Sequence, residues 1–293
     1  MTDRRVLLVA HTGRTDVAIT AATAAELLSA GGVQLLSLPG ENQEVALDLF
    51  DAAHAEPGEI EMVLALGGDG TLLRAAAHAR PLHAPVLGVN LGRVGFLAEA
   101  DAEDLTEAIN AVIDRRYRVS PRMTVDVTVE HQGETVATCW ALNEVSIEKG
   151  TRERILDVVV EVDGHGISAY GCDGVLCATP TGSTAYTFSA GGPVIWPGVD
   201  ALLVAPSNAH ALFARSLVVG PQSTVTVHID PDGPSAVMAC DSRRIHEIRP
   251  GSRIHVRRGV QPVTLVRLSD TPFTDRLVRK FKLPVHGWRD KRH

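Results

Sequence analysis

Apolar and polar positions change rhythm near residue 118. Before that point, short apolar runs alternate with stretches of helical spacing. Residues 6–10 read as a strand, followed by a polar turn at 11–14. Residues 16–28 have helical spacing and end at Gly31-Gly32, and 33–38 form a second strand. The pattern predicts a helix over 44–54, a third strand over 62–66, a helix over 71–79 and a fourth strand over 86–90. Over 102–115, Leu105, Ala108, Ile109 and Val112 share one helical face. Strands alternating with helices predict a mostly parallel α/β sheet for residues 1–118.

After Ser120-Pro121 the period becomes two, first over 124–129. His131-Gln132-Gly133 reads as a hairpin loop, and residues 158–162 lead into the hairpin turn Asp163-Gly164. Further strands are predicted over 202–205, 225–229, 236–239, 254–256 and 263–268, with a turn at Asp230-Pro231-Asp232-Gly233. Many short strands at regular spacing predict an all-β sandwich over 119–270. No internal repeat and no low-complexity tract interrupts either half.

At 293 residues and 45% apolar content, the chain supports one large domain or two ordinary ones, and not a disordered chain. A net charge of −7 argues against a nucleic-acid partner. The longest apolar stretch, 201–219, is broken by Pro206, Asn208, His210 and Arg215, so no membrane span is expected. Arg4 and Arg5 precede an apolar run too short for a signal sequence, which points to the cytoplasm. Cys139, Cys172, Cys177 and Cys240 form no C-x-x-C pair and read as buried free thiols. Cys172 and Cys177 lack the second pair a zinc site needs. The end of the chain is basic, with Arg276, Arg279, Lys280, Lys282, Arg289, Lys291 and Arg292. It reads as a solvated face or a packing segment, with a polyphosphate contact as the sharper alternative.

Against this background one loop stands out. Gly67-Gly68-Asp69-Gly70-Thr71 joins a buried strand to a helix. Glycines there let the backbone approach a ligand and present N–H groups at a helix N-terminus, an arrangement that favours phosphate. A carboxylate in that position opposes phosphate unless it has a task, such as orienting a hydroxyl for phosphoryl transfer. A plain turn or N-cap role for Asp69 is the ordinary alternative. No Gly-Lys-Ser or Gly-Lys-Thr follows, so the loop is not a P-loop, and it is not a G-x-G-x-x-G fingerprint.

Three more stretches could carry chemistry. Asn90-Leu91-Gly92-Arg93-Val94-Gly95-Phe96-Leu97 follows the fourth strand, where open α/β sheets bind ligands. Phe96 could stack on a base or cap the core. Asn143-Glu144 could pair with adenine and accept from ribose hydroxyls, or could be an exposed pair at a strand edge. Residues 171–192 concentrate glycines and hydroxyls around Asp173, Thr181, Thr184, Ala185, Tyr186, Thr187, Phe188 and Ser189. They read as a strand, a Pro-bounded loop and a short helix able to offer donors to a phosphorylated ligand.

At these four stretches the sequence resembles the NAD kinase family, bacterial type. The family pattern comprises G-G-D-G-T, N-L-G-x-x-G-F-L, an N-E pair, and D-G followed by T-P-T-G-S-T-A-Y and G-G-P. All four occur here in that order. The G-G-D-G loop alone resembles equally the diacylglycerol and sphingosine kinases. The resemblance implies a Rossmann-like α/β N-terminal domain and a C-terminal β-sandwich, with 271–293 returning to the first domain. It implies transfer of a phosphoryl group from ATP, or also from inorganic polyphosphate, to the adenosine ribose 2′-hydroxyl of NAD. Magnesium or another divalent cation would assist, in a homodimer or homotetramer, at a metal position the sequence does not mark.

Asp69 would then be the base or hydroxyl-orienting group. Gly67, Gly68, Gly70, Thr71, Asn90 and Phe96 would line the ligand, and Arg74 would face phosphate. Asn143 and Glu144 would hold adenosine, and Asp173 a base or amide. Residues 184–189, with Thr181, would line the dinucleotide. Arg154, Asn208 and Arg243 match positions that contact NAD in relatives. Two rival readings remain: a lipid kinase of the same superfamily, with a large apolar cavity, and a non-catalytic NAD-binding sensor. Retention of Asp69 speaks against the sensor.

Overall fold

Aliphatic runs buried on both faces form the centre of the first unit. A computed structural model describes residues 4–11, 15–40, 45–52, 54–92, 95–150 and 154–285. The chain divides into two units, Met1–Pro121 with Val263–His293, and Arg122–Pro262.

The first unit runs β1 (Arg4–Ala10), α1 (Thr15–Ala30), β2 (Val33–Ser37), β3 (Asp48–Leu49), β4 (Met62–Leu66), α2 (Asp69–Ala79), β5 (Val86–Asn90), β6 (Ala100–Asp101), α3 (Leu105–Ile113) and β7 (Arg118–Arg122). β1 pairs in parallel with β2 and β4, and β4 with β5, in the order β3-β2-β1-β4-β5. β4 and β5 are buried at every position, as parallel strands under helices are. Val6, Leu8 and Leu64 pack with Val17, Ala21 and Leu28 of α1 and with Leu105, Ile109 and Val112 of α3. Each such side chain contributes roughly 1.5–3 kcal/mol on burial.

The helix predicted over 44–54 is not formed at the described residues there. Leu49 instead pairs with Ser37 across a short parallel strand, while Val45, Leu47 and Phe50 pack inward. Their spacing is nearer to two than to 3.6, and pairing at the sheet edge overrides local propensity. Residues 12–14 of the predicted turn, Glu44, Ala53, Arg93, Val94, Arg289, Lys291 and Arg292 lie outside the described residues.

The second unit runs β8 (Val125–His131), β9 (Glu134–Ala141), β10 (Glu144–Lys149), β11 (Leu156–Val162), β12 (His165–Cys172), β13 (Gly174–Ala178), α4 (Tyr186–Ser189), β14 (Leu202–Ser207), β15 (Leu217–Val219), β16 (Val225–Ile229), β17 (Ala236–Cys240), β18 (Arg244–Ile248) and β19 (Arg253–Arg258). One antiparallel sheet has the order β12-β11-β16-β19-β8-β9 and the other β15-β14-β13-β10-β17-β18. Their inner faces share a core that includes Val127, Val158, Val227 and Ile254 from the first and Val145, Ile147, Val175 and Met238 from the second. Strict alternation in β8 and β17 follows from this one-sided burial. Gln132-Gly133 and Asp163-Gly164 both have positive φ, the primed hairpin turns their sequences predicted. β13 is buried on both faces because Ile195, Ala201 and Leu203 cover Ala178 from outside.

The chain then returns to the first unit as β20 (Val263–Arg267) and α5 (Phe273–Phe281). β20 lies between β5 and β7 in the first sheet, with Leu265 parallel to Val86. Residues 263–268, predicted as sandwich, thus contribute a strand to the parallel sheet. Val263, Leu265 and Val266 are buried on both faces, which suits a helix-covered sheet and not a one-sided one.

Candidate active site in two parts

In the first unit, β4 breaks at Gly67, whose N–H donates to Val89 O at 3.0 Å. α2 begins two residues earlier than predicted, with Gly68 as N-cap and Asp69 in the first turn. The Asp69 carboxylate accepts N–H bonds from Phe96 at 3.0 Å and from Leu97 at 3.1 Å. A Cβ on Gly95 would lie 2.2 Å from Asp69 Oδ1, so only glycine lets the two segments meet. Gly68 and Gly70 are exposed at the N-terminus of α2, where backbone N–H groups favour an anion. Thr71 is half-buried, and its N–H donates to Gly68 O at 3.0 Å.

Behind this loop lies a buried ion cluster that the sequence did not reveal. Glu99 accepts from Arg267 at 2.6 Å and from Arg276 at 2.5 Å, and from the N–H of Leu268. Burial raises its pKa, but the two guanidinium groups outweigh burial and hold the carboxyl below its ordinary range. Arg276 also donates to Ala98 O at 2.5 Å, anchoring the segment that presents N–H groups to Asp69. Of the basic tail, Arg276 is therefore a packing residue.

Several candidates in this unit have other partners. Phe96 is buried between Phe273 and Phe281 of α5, with ring centroids 6.1 and 5.5 Å away. Its ring completes the core, and its backbone N–H is what meets Asp69. Asn90 is buried, donating to Asp101 at 3.1 Å and exchanging bonds with the Gly92 backbone. These bonds hold the turn after β5. Arg74 donates to Ala10 O at the end of β1.

A cavity of about 370 Å³ in this unit is lined by Glu99, Asp101, Glu107, Arg116, Arg276 and Arg279, among others. Such charged walls do not suit a lipid chain.

In the second unit, Asn143 and Glu144 stand where β9 passes into β10. Both are buried, and Asn143 Oδ1 and Glu144 Oε2 have no hydrogen-bond partner among the described residues. Burial, and then the negative charge of Asp241, push the Glu144 carboxyl up to about 7, against a bond from the Tyr186 backbone. Asp241 itself is buried at a positive φ and accepts the N–H groups of Leu142 at 3.0 Å and Asn143 at 2.7 Å. Arg244 pairs with it at 2.8 Å. No local signal marks Asp241 as the group that shapes Asn143, because the two are 98 positions apart.

Residues 179–189 close over the same place. Thr179 N–H donates to Asn143 O at 2.9 Å, and a Cβ on Gly182 would lie 2.0 Å from that oxygen. Most hydroxyls of this stretch serve its own fold. Thr179 donates to Leu142 O at 2.5 Å, Ser183 to Pro180 O at 2.7 Å, Thr187 to Gly182 O at 2.8 Å and Thr184 to Thr181 O at 3.3 Å. Thr187, expected to line a ligand, is fully buried. Thr181 and Ala185 are half-buried, whereas Tyr186, Phe188 and Ser189 are exposed.

Asp173 and Asn208 do come together, at 2.8 Å, and Lys149 joins them at 2.5 Å from Asp173. Lys149 and Asn208 hold the Asp173 carboxyl below its ordinary range. Arg154 and Arg243 are exposed, Arg154 just before β11 and Arg243 in the turn after Asp241.

A strand–glycine–helix anion loop with a held carboxylate, and a β unit with unpartnered amide and carboxylate oxygens, define a nucleotide-handling phosphotransferase. Family models agree: the ATP-NAD kinase N-terminal domain matches residues 6–117 and the ATP-NAD kinase C-terminal domain matches 142–268. The chain belongs to the ATP-NAD kinase family. It is 51% identical to an NAD kinase of Nocardia farcinica, covering 99% of this chain and 95% of that one. It is 50% identical to NAD kinase 2 of Streptomyces avermitilis, covering 99% and 98%. Among solved structures, yeast NADH kinase complexed with NADH has a TM-score of 0.85 at 20% identity, covering 97% of this chain and 89% of that one. An NAD kinase from Archaeoglobus fulgidus in complex with ATP has a TM-score of 0.72 at 23% identity, covering 95% and 98%. These two share the fold. The lipid-kinase reading is set aside by the full-length match to NAD kinases.

Proposed function

We propose that this protein transfers the γ-phosphoryl group of ATP to the adenosine ribose 2′-hydroxyl of NAD, giving NADP. The observation that carries this reading is the pair of buried, unpartnered oxygens, Asn143 Oδ1 and Glu144 Oε2. Buried polar atoms without partners are rare, and a ligand supplies what they lack. An adenine edge satisfies an Asn amide, and ribose hydroxyls donate to a carboxylate. Asp173, Lys149 and Asn208 would bind the far end of the dinucleotide, with Tyr186 and Phe188 offering apolar faces.

Asp69 takes the acceptor hydroxyl. Two backbone N–H bonds fix its carboxylate and leave about half of its roughly four acceptor positions for substrate. In a loose phosphoryl-transfer transition state the proton leaves late, so orientation counts for more than basicity. Backbone N–H groups at Gly68 and Gly70 would meet phosphate charge at the N-terminus of α2. Among the described residues no three His, Cys, Asp or Glu side chains gather. A divalent cation would come with the nucleotide substrate, held chiefly by its phosphates.

Exposed Val159, Ile167, Leu212 and Phe213 of the second unit support self-association as a dimer or tetramer. No helix of the described residues is long and apolar enough to cross a membrane, and the four cysteines are free thiols, which fits the reducing cytoplasm. The test is a coupled assay of NADP formation from NAD and Mg²⁺ with either ATP or inorganic polyphosphate. NADP formed with ATP supports the proposal, and the polyphosphate arm sets the donor range. Folded protein that binds NAD without forming NADP overturns it in favour of a sensor.

A further inference from the structure

The segment that holds Asp69 is itself held from the far end of the chain. Phe96 and Leu97, whose N–H groups bond the Asp69 carboxylate, lie in neither a helix nor a strand, so no regular ladder fixes their backbone. Gly95, Ala98, Glu99 and Ala100 border the cavity of about 370 Å³, so on that side the segment meets open space rather than packed side chains. What grips it is α5. The Phe96 ring packs against Phe273 and Phe281. Between those two in sequence, Arg276 donates to Ala98 O at 2.5 Å and lies 3.5 Å from Phe96 O.

The peptide joining Phe96 to Leu97 is planar, so its carbonyl and its N–H point in opposite directions. The carbonyl faces Arg276 and the N–H faces Asp69. Turning one edge turns the other. Arg276 is fixed in its turn by Glu99, 2.5 Å away, whose side chain is only 1% exposed. Glu99 also accepts from Arg267 and from the N–H groups of Leu268 and Ser269, so β20 and α5 converge on one carboxylate. A guanidinium suits this place, because its planar fork serves a carbonyl and a carboxylate at once in set directions.

We propose that Glu99 and Arg276 are positioning residues for phosphoryl transfer. They fix the 96–98 peptides from behind and so hold the Asp69 carboxylate at the angle at which it meets the acceptor hydroxyl. This rests on the hydroxyl-orienting role proposed above for Asp69. Loss of the fork slows the transfer step and leaves substrate binding in place, because the fork acts on Asp69 and not on the substrates.

The test compares Arg276→Met with Arg4→Met in the full-length protein. Arg4 is a matched anchor in the same unit. Its side chain bonds Glu61, Val112 O and Ile113 O, each at 2.7 Å, and nothing in the 95–98 segment among the described residues. Both variants should lower the Tm. Only Arg276→Met should lower kcat, by roughly 10–100-fold, the scale of a misplaced reacting group. Its KM values for NAD and ATP should stay within roughly twofold. Arg276→Lys keeps the charge beside Glu99 without the fork and should recover part of the loss. In an Asp69→Asn background, Arg276→Met should cost less than roughly threefold more, because residues that act through one group are not additive. Hydrogen exchange of a peptide spanning 95–99 reads the geometry apart from turnover, and should quicken in Arg276→Met and not in Arg4→Met. Equal losses of kcat in both variants, a loss confined to KM, a full loss repeated in the Asp69→Asn background, or unchanged exchange overturns the proposal. If Arg276→Met does not fold, Arg276→Lys against Arg4→Lys carries the same comparison. Wild-type protein that forms no NADP, with exchange responding as described, counts against the proposed function instead.

Discussion

Two glycine-rich loops, one in each unit, meet the same requirement by opposite means. In Gly67–Thr71 the chemical group lies in the loop itself: Asp69 is presented on the first turn of α2 and held by N–H groups from another segment. In 179–189 the hydroxyls of Thr179, Ser183, Thr184 and Thr187 bond backbone carbonyls, and the oxygens without partners among the described residues sit on the neighbouring strand junction, at Asn143 and Glu144. One loop carries the functional group and the other builds its wall.

The comparison breaks first at Asp69. Asp69→Asn keeps the shape but loses the charge, and turnover is expected to fall roughly 10²–10⁴-fold with NAD binding retained, by coupled assay and calorimetry. Unchanged turnover would remove Asp69 from the chemistry. Next come the two close approaches. Gly95→Ala forces a methyl against the Asp69 carboxylate and should lower kcat, whereas Gly182→Ala presses on Asn143 O and should raise the KM for NAD. Each should also cost about 1–3 kcal/mol of stability by denaturant titration. If both changes act on the same kinetic constant, the two loops do not divide the work as described.

A third effect depends on pH. Glu144 is raised from its ordinary 4.5 to about 7 in the folded protein. Folding therefore favours the protonated form: its stability is intact below the ordinary value and is lost as pH climbs through about 7. The loss is on the order of 3 kcal/mol at most. Thermal melts of the free protein should fall across that window, and Glu144→Gln should flatten them. NAD binding should strengthen over the same window, because ribose hydroxyls need the ionised acceptor. The smallest effect is expected at Thr187→Val, which should cost about 1 kcal/mol of stability and leave the KM for NAD within roughly twofold. A larger change in KM would return Thr187 to the ligand surface.

The change of period near residue 118 came from apolar spacing, as did most strands of both halves, because burial on one face or two imprints itself along the chain. The strand–loop–helix around Asp69 was legible for a related reason, since an aliphatic run that breaks into glycines marks a buried strand entering a tight loop. Where the spacing was ambiguous the reading failed, as at 44–54, where pairing with β2 decided for a strand. Residues 263–268 read as a strand but joined the parallel sheet, since partner choice is a property of the whole sheet.

At the site, the sequence by itself determined which residue types were present and near one another in the chain: a carboxylate among glycines, an amide beside a carboxylate, a stretch of hydroxyls. Only the tertiary structure decided which of their polar atoms were already satisfied. Phe96 went to the aromatic core with α5, Asn90 to Asp101 and Gly92, and Thr187 to Gly182. Asn143 and Glu144 kept oxygens without partners among the described residues, and Asp241, far away in sequence, held the N–H groups of Leu142 and Asn143. Hydrogen-bond satisfaction is settled through space between groups that sequence distance does not relate, so it could not be read along the chain.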